Sequence, residues 1–167
     1  MAYHHGDLKK ALLDAAVAAV EAGGVESVSL RKLSEQVGVT PNAVYRHFSS
    51  REELLLAVGD LGFARLADAF EATSDRDLDS LGRSYIQFGL QHPWLYRLMF
   101  SGRRTSVPRA EDRSFVILQE AVRARAGGEA TERHVLQESI NAWAYVHGMV
   151  MLLLDGVVEL DEIAFSF

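Results

Sequence analysis

The chain has no cysteine and only three prolines in 167 residues. The first absence excludes a disulfide scaffold, a thiolate nucleophile, a cysteine-ligated zinc and a thiol redox sensor. The scarcity of proline, with 13 glycines and 49% hydrophobic residues, argues against a fibrous or disordered chain and leaves apolar material for a real core. Long hydrophobic runs are also missing. Met149 to Leu154, bounded by His147 and Asp155, is far short of the roughly 20 residues that span a bilayer. The opening MAYHHGDLKK holds no apolar stretch that could form a signal-peptide core. The expectation is a cytoplasmic chain with no membrane partner, divided into one large domain or two small ones. Catalytic signatures are equally scarce: there is no phosphate-binding glycine loop, no HExxH and no clear pair of carboxylates. An enzyme, a cofactor and a metal site are therefore not expected. Basic residues are in deficit, 17 against 23 acids, for a formal charge of -6. Taken in bulk, that balance speaks against DNA as a partner.

What is present is helical periodicity. Leu8, Leu12, Ala15, Ala16, Ala19 and Val20 make one apolar face of a helix over 7–22, stopped by Gly23 and Gly24. Ser29 is a suitable N-cap for a second helix carrying Leu30, Leu33 and Val37. Gly38 interrupts, and Thr40 with Pro41 at the first helical position starts a short third helix to about His47. Ser50 and Glu53 have capping-box spacing for a fourth helix to about Thr73. Further helices are expected over 78–91, from Trp94 to Phe100, over 110–126 and over 131–156, with a basic loop over 101–108 and one or two turns over 157–167. No strand is evident. The fold class is all-α: an N-terminal three-helix domain over 1–52, joined to a helical bundle over 53–167.

The segment LRKLSEQVGVTPNAVYRHF, residues 30–48, is the informative one. A helix of about eight residues, a short turn with glycine and a second short helix match the helix-turn-helix pattern. The second helix must enter a major groove about 12 Å wide, where its first turn meets base edges. Thr40, Pro41 and Asn42 sit in that turn, and Asn42 can donate to and accept from adenine. Tyr45, His47 and Arg51 follow as phosphate anchors. Arg31, at the start of the preceding helix, could reach the backbone or a base, and Lys9 and Lys10 could hold phosphates from the first helix. Phosphate contacts set position, whereas base contacts specify. Plainer readings stand beside these: Tyr45 as partly core, Asn42 as a solvated first-turn residue, and Lys9 with Lys10 as an ordinary wet face.

SLRKLS at 29–34, GVTP at 38–41, VYRHF at 44–48 and REEL at 51–54 together resemble the N-terminal DNA-binding domain of TetR-family transcriptional regulators. The resemblance covers about residues 8–58. It implies a regulator, usually a repressor, that binds a palindromic double-stranded operator as a homodimer and is released by a small molecule entering the C-terminal domain. It also implies phosphate contacts at Tyr45 and His47. Arg51 stands where lysine is more usual, and Thr40, Pro41 and Asn42 fall on the variable reading positions. WAYVHG at 143–148 and HPWLYRLMF at 92–100 look like a Trp-x-x-x-His-Gly subclass of C-terminal domain. The chain departs from that pattern in the short stretch after residue 156, which puts the dimer geometry in question.

An effector site in such a bundle is expected to be apolar with a few polar groups. Tyr85, Phe88, Trp94, Met99, Phe115, Leu118, Trp143, His147 and Met151 are the candidate contacts, for a small apolar or aromatic effector. Trp143, His147 and Met151 share one helix face, although stripes of this kind are also ordinary core. His147 equally suits a core histidine hydrogen-bonded to Trp94, Tyr85 or a carbonyl, and Gly148 a point of close helix packing. The alternative function is a helix-turn-helix DNA-binding or protein-interaction module with no small-molecule inducer.

The acidic balance changes when it is localised. Residues 1–58 carry six lysines and arginines against seven acids, and residues 59–167 carry eleven against sixteen. Nearly all the excess acid lies outside the reading segment. Local cationic surface can outweigh net charge at a phosphate backbone.

Overall fold

The computed structural model describes residues 5–102, 112–127 and 130–159, with side chains from Leu8 onward. Most of the expected basic loop, and the last eight residues of the expected C-terminal turns, lie outside them. The elements in order are α1 (His5–Gly23), a 3-10 turn η1 (Val25–Ser27), α2 (Leu30–Val37), α3 (Pro41–Tyr45), α4 (Arg51–Glu71), α5 (Leu78–Gln91), α6 (Pro93–Met99), α7 (Arg113–Arg125) and α8 (Glu132–Leu154). No strand occurs among the described residues, so the all-α expectation holds. None of these helices is long and apolar enough to cross a membrane.

The chain divides into two compact units. The first comprises Met1–Gly62 together with His92–Thr105, and the second Phe63–Gln91 together with Ser106–Phe167. The division falls inside α4, ten residues beyond the expected boundary after residue 52, and it returns α6 to the first unit.

In the first unit, α1 lies against η1, α2 and α6, and α2 against α3. Leu12, Ala16, Val20, Val44, Leu54, Leu55, Val58, Leu95 and Tyr96 are completely buried there. Each buried aliphatic side chain of this size contributes about 1.5–3 kcal/mol relative to exposure. Glycine is required at two turns. Gly38, at φ 75°, ends α2, and the Val39 N–H reaches the Ser34 carbonyl at 2.9 Å, closing a Schellman cap. Gly24, at φ 72°, lies under the Trp94 indole: a Cβ there would stand 3.0 Å from Trp94 Cε3. Glu21 and His92 Nδ1 meet at 2.8 Å beside this contact.

The expected capping box at α4 forms in altered shape. The Ser50 hydroxyl accepts the Glu53 N–H at 3.1 Å. The Glu53 carboxylate, however, accepts from the N–H and hydroxyl of Ser49, each at 2.6 Å, instead of the Ser50 N–H. These bonds to the Ser49 hydroxyl and N–H hold the Glu53 carboxyl below its ordinary pKa.

In the second unit, α5, α7 and α8 pack on one another. Phe63, Leu66, Phe70, Leu81, Tyr85, Phe88, Phe115, Val135 and Val146 supply its buried core. Arg113 fastens the start of α7 to α4: its Nη2 donates to the Ala64 carbonyl at 3.1 Å and to the Asp68 carboxylate, while Nε lies 3.5 Å from Glu71. On α8, Leu136, Ile140, Ala144 and Leu152 are exposed and recur at multiples of four residues, and a Cβ on Gly148, in the same series, would meet nothing within 4 Å. Gly148 is therefore not a point of close packing within the chain.

Candidate nucleic-acid interface and bundle cavity

The geometry of the first unit separates an anchored side from an outward side within a few residues. Val44 is fully buried and Phe48 is 1% exposed, so α3 is pinned within the unit's core. Around that pin, Thr40, Pro41, Asn42 and Arg46 are exposed, Tyr45 is 54% exposed and His47 is half-buried. Thr40 makes no side-chain cap, and its conformation is extended, as a residue entering a helix requires. Five of the expected contacts (Thr40, Pro41, Asn42, Tyr45 and His47) are thus gathered on or beside one short helix. Tyr45 is an outward side chain, which decides against its reading as core.

The outlying cations differ. Lys10 pairs with Asp14 at 2.7 Å and Arg31 with Glu35 at 3.2 Å, both exposed i,i+4 pairs of the weak surface kind. Lys9 places its ammonium 5.7 Å from the centre of the Phe48 ring. Arg51 is turned inward. Its Nε donates to the Val28 carbonyl at 2.9 Å and Nη2 to the Val25 carbonyl at 2.5 Å, with Glu26 at 3.7 Å. The guanidinium thus forms a strut between η1 and α4, serving two carbonyls that flank a short turn.

In the second unit, a cavity of about 40 Å³ is lined by Phe63, Leu66, Phe70, Leu78, Leu81, Gly82, Tyr85, Ser114, Phe115, Leu118, Ala142, Trp143 and Val146. Among the described residues its lining has no charged side chain. Four expected contacts, Tyr85, Phe115, Leu118 and Trp143, meet there. His147 stands behind them: Trp143 Nε1 donates to the Tyr85 hydroxyl at 3.0 Å, and that hydroxyl lies 3.4 Å from His147 Nδ1. Burial lowers the His147 pKa, favouring the neutral ring. Of the partners open to His147 from sequence, Tyr85 is found. Phe88 is buried in the same unit but does not line the cavity, and Met151 is half-buried one turn beyond His147.

Trp94 and Met99 are not brought to this cavity. Trp94 covers Gly24, and Met99 is 1% exposed against Gly62 and Gly59, all within the first unit. The physical reason is the turn at His92-Pro93, which starts a new helix that packs on α1. Phe63, Leu66, Phe70, Leu78, Leu81, Gly82, Ser114, Ala142 and Val146 are lining residues that sequence reasoning misses. The apolar periodicity of α4 and α5 marks most of them as inward, but inward does not distinguish cavity wall from core.

Comparison with known proteins agrees with this arrangement. Residues 12–58 match the family described as "Bacterial regulatory proteins, tetR family", and residues 78–164 match "Tetracyclin repressor-like, C-terminal domain". The HTH-type transcriptional repressor KstR of Mycolicibacterium smegmatis is 30% identical over 140 residues, 84% of this chain and 64% of that protein. An uncharacterized HTH-type transcriptional regulator, YobS of Bacillus subtilis, is 24% identical, covering 94% of this chain and 84% of its own. A Rhodococcus structure of unknown function superposes with a TM-score of 0.74 at 30% identity, over 96% of this chain and 89% of that one. A TetR regulator from Streptomyces coelicolor shares the fold, with a TM-score of 0.72 at 22% identity over 92% and 73%. With both halves matched to domains of DNA-binding regulators and not of enzymes, the chain belongs to the TetR family of transcriptional regulators.

Proposed function

We propose that this regulator is a repressor that binds a palindromic operator as a homodimer and is released by a small, apolar or aromatic effector. The observation that carries the DNA-binding part is the short α3, whose Val44 is completely buried while Asn42 and Tyr45 are exposed beside it. A helix held that firmly by one face presents the other at fixed geometry, which base reading requires. Thr40, Pro41 and Asn42 meet base edges. Tyr45, Arg46 and His47 hold phosphates, with Lys9, Lys10 and Arg31 as outer cations whose weak local interactions can be exchanged for phosphate. Relatives named as repressors support the direction of control.

The outward series Leu136, Ile140, Ala144, Gly148 and Leu152 supports the dimer. The series rises about 24 Å along α8 and winds about 160° round it, so its middle members, Ile140, Ala144 and Gly148, within about 80° of one another, form the patch suited to a self-complementary two-fold contact. Two heads can then read half-sites about 34–36 Å apart. For release, Phe63, Leu66 and Phe70 of the cavity wall lie on the same continuous helix that carries Leu54, Leu55 and Val58 into the first unit's core. An effector that favours one position of α4 biases both ends of that helix.

The test is selection of bound genomic fragments, followed by footprinting at several salt concentrations. A palindromic footprint whose affinity falls steeply with salt is expected. Absent or salt-insensitive binding would sink the reading. The small cavity volume also favours a second reading, a packed core and no inducer; under that reading no small molecule shifts the footprint.

A further inference from the structure

One polar group in the cavity wall is unaccounted for. Ser114 is only 7% exposed, lines the cavity, and its hydroxyl makes no hydrogen bond among the described residues. The other buried serines behave differently: Ser34 donates to the Arg31 carbonyl at 2.7 Å and Ser139 to the Val135 carbonyl at 2.7 Å. A buried hydroxyl without a partner is costly, and native structures hold few of them. The other polar side-chain groups of the wall, the Tyr85 hydroxyl and Trp143 Nε1, are engaged with each other, and the Tyr85 hydroxyl also faces His147.

We infer that Ser114 is the hydrogen-bonding handle for the effector, and that the effector is an uncharged, mostly hydrocarbon molecule with a single hydroxyl or carbonyl group. This rests on the cavity being an effector site. The absence of charge among the described lining residues decides the class: a buried ion would meet no counter-charge from them, and its desolvation would go uncompensated. A serine hydroxyl both donates and accepts, so it suits either an alcohol or a ketone. One available polar group in the wall matches one polar group on the ligand. Size adds a consequence. A cavity of about 40 Å³ is well below the roughly 150 Å³ that holds benzene in a dry protein interior. Ring entry must therefore displace side chains from α4, α5, α7 or α8, and that displacement lets binding distinguish two conformations.

The test uses three probes of similar shape: toluene, p-cresol and 4-methylbenzoate. Binding to the full chain is followed at pH 7 by Trp143 fluorescence in a Trp94→Phe background, and a shift of the DNA footprint is scored in parallel. p-Cresol is expected to bind about three- to tenfold more tightly than toluene, the effect of one hydrogen bond, with 4-methylbenzoate weakest. In Ser114→Ala the p-cresol preference over toluene should vanish, while the ligand-free variant melts at or above the wild-type temperature. Binding of all probes with an unchanged preference in Ser114→Ala, a lower melting temperature for that variant, or tightest binding of 4-methylbenzoate would each overturn the inference and leave the effector site standing. No binding by any probe, with the footprint unmoved, would overturn the effector site itself.

Discussion

Arg51 and Val28 are joined by a hydrogen bond of 2.9 Å from Nε to the carbonyl, and the same guanidinium reaches Val25. A cation whose spacing suits DNA thus commits two of its N–H donors inside the domain. Arg51→Ala should destabilise the protein by about 1.5–3 kcal/mol, the range for hydrogen bonds involving a charged group. Urea denaturation measures this. Arg51→Lys should recover only part, because an ammonium cannot fork to two carbonyls with the same geometry. An unchanged urea midpoint, combined with a shallower salt dependence of operator binding, would restore Arg51 as a phosphate ligand.

The reading helix gives a contrast between two near neighbours. Asn42→Ala should change operator preference, with a loss of about 1–3 kcal/mol confined to one base pair per half-site. Arg46→Ala should weaken all operators alike and reduce the log–log salt slope by about 0.9 for each phosphate that is no longer neutralised. Binding titrations on a set of single-base operator variants separate the two, and a uniform loss in Asn42→Ala would remove its base-reading role.

Two glycines with positive φ but different ψ, Gly38 at 36° and Gly24 at -171°, should differ in their tolerance of alanine. Gly38→Ala meets open space, so its cost is the left-handed backbone alone, about 1–2 kcal/mol. Gly24→Ala adds a clash with the Trp94 indole and should cost more. A double-mutant cycle with Trp94→Ala should recover the steric part of the Gly24→Ala cost and leave the part due to its glycine-only backbone conformation. No coupling between Gly24→Ala and Trp94→Ala in that cycle would contradict the steric account.

His147 predicts a pH dependence of stability. Burial lowers its folded pKa below the ordinary 6.5, so the unfolded chain binds more protons between those two values. Stability therefore rises with pH in that window: this contribution is complete above about pH 6.5 and is lost as pH falls toward the folded pKa. Urea midpoints from pH 5 to 8 should decline on the acid side more steeply for the wild type than for His147→Gln. Parallel curves would show that His147 does not couple folding to protons.

The outward series on α8 is testable by charge. Ile140→Glu or Ala144→Glu should lower the sedimentation mass from dimer to monomer while leaving helicity unchanged. A dimer that survives both changes would place the interface elsewhere.

Helix positions are legible in the sequence because local chemistry determines them. Gly23 and Gly24, Gly38, Thr40-Pro41, and Ser50 with Glu53 all mark ends that the structure shares within a residue or two. The helix-turn-helix is legible for the same reason. The tertiary placement of short segments is not. Nothing in the apolar stretch from Trp94 to Phe100 says which of two cores it joins, and chemistry alone groups Trp94 and Met99 with the bundle. Arg51 shows a related limit: charge and spacing fit a phosphate, and only the coordinates reveal two carbonyls closer at hand. Ser114 carries no signal, since one serine at a helix start is common and only its burial without a partner sets it apart.

The return of α6 to the first unit bears on modularity. Leu95, Tyr96, Leu98 and Met99 are all nearly or fully buried in that unit, so the head is assembled from two stretches of chain separated by α5. A chimera that grafts residues 1–62 onto another regulator's sensor inherits a reading helix but not the segment that completes its core, unless the recipient supplies an equivalent of 93–99. A single crossover after residue 62 is therefore expected to leave the first unit's core incomplete, whereas a graft that also carries 93–99 keeps it whole.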